Sequence, residues 1–143
     1  MNAKEYLSQA MWLDKMIDNK IRHKESLEAL AERVSVDFSR EKVSGGTAST
    51  SPMEDAVVKL IDLSYEINDD IDKLVDLKRE ILETINLVED YRYRSVLEMR
   101  YINGLKWDDI VKYSGYDRRY LLKLHGKALI EIEKIIKEDT KRH

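Results

Sequence analysis

Arg118, Arg119, Leu122 and Lys123 open an apolar-periodic stretch and follow directly on Ser114-Gly115-Tyr116-Asp117. At that spacing they point away from the stripe of Leu121, Leu124, Ala128 and Ile132, which recurs at helical steps. Two guanidinium groups and an ammonium on one helix face suit recognition of anionic surfaces rather than bond-making. Placed at the front of a helix behind a turn and a cap, they are the set that would meet base edges in a DNA major groove. Lys106, Lys112, His125 and Lys127 are candidates for phosphate contacts, which fix position rather than sequence. Each has a plainer reading: a solvated helix face for the cations, an ordinary exposed histidine for His125. Tyr120 either stacks on sugar or touches a thymine methyl, or it packs half-buried.

These side chains need a scaffold, and the flanking residues predict one. Val96 to Tyr101 read as the end of a helix, closed by a left-handed residue at Asn103-Gly104. A short second helix over about Lys106 to Tyr113 carries Trp107, Ile110 and Val111 on one face, with Asp108 and Asp109 at the positive end of its dipole. Gly115 is suited to the positive φ of a corner, and Asp117 to capping the third helix. Trp107 and the set Tyr91, Tyr93, Tyr101, Tyr113 and Tyr116 are expected to pack rather than to bind.

The run from Gly115 to Leu124, ending in Ala128-Leu129, resembles the recognition helix of region four of bacterial sigma factors; Leu97, Arg100-Tyr101, Gly104 and Trp107-Asp108-Asp109-Ile110 match the preceding helices of that pattern. The Arg100-Tyr101-Ile102, Gly104, Trp107 and Ile110 run, together with Leu124-His125-Gly126-Lys127-Ala128-Leu129 and the Ser51-Pro52 helix start, is similar to the ArpU-like late transcriptional regulators of phages and prophages. These relatives are catalogued as a domain of unknown function. The resemblance covers about half of the chain and implies helix-turn-helix DNA binding, with activation by recruiting host RNA polymerase. Tyr120 and Leu122 stand where sigma factors carry arginines, so promoter-element recognition does not carry over.

Upstream, Tyr6, Ala10, Leu13, Ile17, Ile21, Leu27, Ala31 and Val34 predict a helix over about Ala3 to Val36, with Trp12 and Met16 widening its buried face. Ser44 to Ser51 reads as a flexible connection. Ser51-Pro52-Met53-Glu54 then fits a capping box with proline at the first helical position. Met53, Val57, Leu60, Ser64, Ile67, Ile71, Leu74, Lys78, Ile81, Ile85 and Val88 alternate steps of three and four, the 3.5-residue period of a coiled-coil seam. A straight helix over that span extends about 54 Å and needs a partner: the first helix, another protomer, or both.

In 143 residues, 43% hydrophobic and 37% charged, there is one proline and no cysteine. Disulfides and thiolate metal sites are excluded. No apolar run reaches the roughly 20 residues of a membrane span, so a cytoplasmic place in a bacterial host, away from membranes, is expected. The net charge of −3 is asymmetric: residues 90–143 hold 13 Lys and Arg against 9 Asp and Glu, a net +4, and residues 1–89 hold 12 against 19, a net −7. Only the C-terminal part suits a phosphate backbone, and weakly, so two copies are expected to act together. Asp69, Asp70, Asp72 and Asp76 read as a solvated face rather than a metal site, and His23, His125 and His143 are too scattered for zinc. No phosphate-cradling loop or nucleophile–base constellation is visible, so neither an enzyme nor a cofactor is expected.

The expectation is an all-α chain: an antiparallel helical hairpin or coiled coil for oligomerisation over 1–89, with a flexible loop at 40–51, then a three-helix sigma-region-four-like helix-turn-helix over 90–143. Its function would be sequence-specific transcriptional regulation on double-stranded DNA as a homodimer. Two rival classes are a small terminase subunit that recognises phage DNA for packaging, and a polymerase- or protein-interaction module without DNA binding.

Overall fold

The computed structural model describes residues 1–40 and 52–142. Every regular element among the described residues is helical: α1 (Ala3–Arg40), α2 (Pro52–Ile85), α3 (Tyr91–Leu97) running into one π-helical turn (Glu98–Ile102), α4 (Trp107–Ser114) and α5 (Arg118–Arg142). The expected connection over 44–51 and the Ser51 cap lie outside the described residues. Proline stands at the first position of α2, where its missing N–H removes no helical bond. No helix among the described residues is long and apolar enough to cross a membrane.

Packing divides the chain into two units, Lys15–Lys73 and Met1–Asp14 with Leu74–His143. In the first unit Ile17, Ala56, Leu63 and Ile67 are buried, and Lys20 pairs with Asp70 and, at 3.8 Å, with Glu66. The coiled-coil frame is corrected here. Of the expected seam, Ile67, Leu74, Ile81, Ile85 and Val88 are buried, whereas Met53, Val57 and Ile71 are about two-fifths exposed, with Ala56, Leu63 and Asp70 covered beside them. The Asp70 side chain is only 13% exposed and is paired with Lys20, and Ile71 beside it is 40% exposed. Met16, expected to widen the buried face, is also exposed within this unit, as is Ile21.

The second unit gathers the beginning of α1, the end of α2 and the C-terminal helices. Leu7, Ala10, Ile81, Ile85, Val88, Leu97 and Ile132 are buried within it, while Trp12 lies exposed. The Ala3 N–H donates to Glu133 Oε2 at 2.8 Å, and the Tyr6 and Thr84 hydroxyls share a hydrogen bond of 2.9 Å. The division of packing falls inside α1, after Asp14, and inside α2, after Lys73. From α2 the chain turns through Asn86 to Glu89, where the Arg94 guanidinium donates to the carbonyls of Val88 and Glu89 and Asp90 caps α3 through the Arg92 N–H.

Candidate nucleic-acid interface

α5 packs against α3 and α4 around a core of Val96, Ile110, Leu121 and Leu124, with Tyr93, Met99, Leu105, Trp107, Val111 and Tyr120 closing over it. Each turn follows from a local rule. The π turn ends where the Asn103 N–H reaches the Glu98 carbonyl, and Gly104 takes φ +68°. Gly115 takes φ +77° at the end of α4, its N–H returning to the Val111 carbonyl at 3.1 Å. An L side chain at either φ would crowd its own carbonyl. Asp117 caps α5 through the Tyr120 N–H at 2.8 Å. The stripe Leu121, Leu124, Ala128 and Ile132 is buried as the spacing requires.

On the outer side of α5, Arg119, Leu122 and Lys123 share one exposed stripe at steps of three and four. Neither Arg119 nor Lys123 has an ion-pair partner among the described residues. Arg118 is also exposed, but its Nη1 donates to Asp108 Oδ1 at 2.9 Å, so a carboxylate of α4 engages this cation. Both side chains are more than half exposed, and such a pair contributes only about 0–1 kcal/mol. Lys106, at the N-cap of α4, and Lys112 and Lys127 are exposed as expected.

His125 is not the exposed side chain that the sequence suggested. It is half-buried, its ring stacked on Tyr101 at 5.7 Å and edge-on to Trp107 at 4.9 Å, with Nε2 and the Tyr101 hydroxyl sharing a 2.7 Å hydrogen bond. Burial, then the charges of Lys4 and Arg100, push its pKa down to about 4. A neutral, internally bonded imidazole offers phosphate no cation. It stands one residue past Leu124, on the flank of the buried stripe, where Trp107 covers it.

The tyrosines divide. Tyr101 is buried, Tyr93 half-buried, and Tyr120 half-buried with its ring edge-on to Tyr116 at 5.0 Å. Tyr91 and Tyr113, expected to pack, are instead 69% and 83% exposed. Tyr113 falls off the Trp107–Ile110–Val111 stripe, a signal present in the spacing. Sequence reasoning also passed over two arginines: Arg100 lies over the Trp107 ring at 5.3 Å and donates to the Leu105 carbonyl, and Arg92 donates to the Tyr120 hydroxyl.

Residues 32–133 match the model of a family described as protein of unknown function (DUF1492), and the chain belongs to that family. No curated protein and no solved structure matches the chain.

Proposed function

We propose that this chain is a sequence-specific DNA-binding regulator of phage or prophage origin, with α4 and α5 as a sigma-region-four-like helix-turn-helix and α5 as its recognition helix. Residues 90–143 form the DNA-binding module on this reading, and α1 with α2 forms an antiparallel arm that joins two protomers. One observation carries it: Arg119, Leu122 and Lys123 stand together, exposed and unpaired, in the first two turns of a helix that Gly115 and Asp117 set at a corner.

Stability alone does not account for that placement. Helix N-termini favour acids, as the first turn of α4 does with Asp108 and Asp109, whereas α5 opens on two arginines and has no acid in its first turn. A local rule broken at an exposed site is a mark of function. Arg119 and Lys123 would reach base edges, joined by Arg118 when it leaves Asp108, Leu122 would add apolar contact, and Lys106, Lys112 and Lys127 would hold phosphates. Dimerisation would supply affinity that a net +4 does not, and recruitment of host RNA polymerase would follow binding. A binding module without DNA is favoured by one observation, the Arg118–Asp108 pair, which spends a cation on the protein itself.

Selection of bound fragments from a random duplex pool tests the reading. Enrichment of one motif, or of two half-sites at fixed spacing, is expected; no enrichment at any salt concentration leaves the interaction-module reading in its place.

A further inference from the structure

At the far end of α5 from the cationic stripe lies a cleft of about 720 Å³ between the last turns of α2 and of α5. Leu87, Ile135 and Ile136 form its apolar part, and Leu87 is 65% exposed although it sits in a concave site. Glu80 and Glu83 line the α2 side and Glu138 the α5 side, and no lysine or arginine lines it. A second cleft of about 450 Å³ shares Leu87, Ile135 and Glu138 and continues past Glu89 and Glu131. The cation at this second cleft, Lys134, is already bonded to Glu131 at 3.3 Å.

The arrangement of charge decides the kind of occupant. No group of three or more metal-ligating side chains among the described residues could hold a metal ion, so these carboxylates do not converge on a point. They are strung along two walls: the stretch from Glu131 to Glu138 alone runs roughly 10 Å, about two turns of helix. A metal ion or a small cation would not span both walls, whereas an elongated partner with an apolar ridge between cationic edges can face Glu80 and Glu83 on one side and Glu138 on the other. We infer that this cleft docks a lysine- or arginine-rich amphipathic helix of a partner protein, with leucine-like side chains on Leu87 and Ile136 and cations facing Glu80, Glu83 and Glu138. The inference is independent of what α5 does at its other end.

The test uses the full chain and an acetylated, amidated Leu–Lys amphipathic peptide of about 14 residues, long enough to cover about 21 Å as a helix. Amide shifts on titration should cluster at Thr84, Leu87, Ile135 and Ile136. Leu87→Asn and the double change E83K/E138K should each weaken binding about tenfold, while D62K/D72K on the other unit should leave it unchanged. Leu87 and the glutamates are exposed, and an unaltered circular dichroism spectrum would verify the fold of each variant. Shifts spread along α2, or equal losses in D62K/D72K, would overturn the proposal in favour of diffuse attraction. A peptide indifferent to Leu87→Asn would overturn it as well. So would sedimentation in which E83K/E138K abolishes self-association, because the cleft would then belong to a second copy.

Discussion

Arg92 reaches from the first turn of α3 to the first turn of α5, where its Nη1 donates to the Tyr120 hydroxyl at 3.1 Å. The guanidinium is itself held by the Asp90 carboxylate, Nη2 to Oδ2 at 2.9 Å, and Asp90 also caps α3. The cap of one helix thereby aims the start of another. The hydrogen bond to Asp90 holds Arg92 more firmly protonated than usual, and the same bond holds the Asp90 carboxyl below its ordinary range.

Tyr120→Phe keeps the ring against Tyr116 and removes only the acceptor. A loss of about 1 kcal/mol in urea unfolding is expected, read as a lower midpoint at unchanged slope. On the proposed reading, affinity for a selected duplex falls with it, because the first turn of α5 loses its tether.

The His125 ring predicts acid sensitivity. Its folded pKa of about 4 lies below the ordinary 6.5, so between those values the unfolded chain binds the extra proton. Stability is therefore intact above pH 6.5 and declines as pH falls towards 4, by about 1–2 kcal/mol after discounting for partial exposure. Asp90, with its depressed pKa, adds a further loss below the ordinary carboxylate range. Denaturation midpoints measured across this window should slope less in His125→Gln than in the parent chain.

Two glycines should respond to alanine with opposite signs. A Cβ would meet nothing within 4 Å at Gly115 or at Gly126, so backbone conformation alone decides. At Gly115, with φ +77°, alanine should cost about 1–2 kcal/mol. Gly126 lies inside α5 without a positive φ, and alanine there should stabilise by about 0.5–1 kcal/mol. Thermal melts of the two variants check both signs.

What could be read in the sequence were the features set by near neighbours: Gly104, Gly115, the Asp117 cap and the buried stripe of α5. Features set across space could not be. A frame built on apolar residues assigned Ile71 to the seam of α2, because nothing local shows that Asp70 pairs with Lys20 of α1. His125 read as exposed because the Tyr101–Trp107 cleft that takes it arises only when three segments meet. The stripe of Arg119, Leu122 and Lys123 was visible in advance as spacing, whereas the loss of Arg118 to Asp108, ten residues away, needed the turn between them to be built.

That pair gives a prediction of its own. Asp108→Asn should free Arg118 and remove a negative charge beside the cationic stripe, tightening binding to any duplex by a few fold at low salt. Fluorescence anisotropy at two salt concentrations reads it, and the gain should shrink at the higher.

The claim that the front of α5 meets duplex DNA is tested most directly by the salt dependence of binding in Arg119→Ala and Lys123→Ala, each on a selected site and on an unrelated duplex of the same length. If Arg119 reads a base, its loss should cost about 1–3 kcal/mol on the selected site and far less on the unrelated one, with preference relaxed at one base pair. Unchanged affinity and unchanged salt slope in both variants would contradict the account.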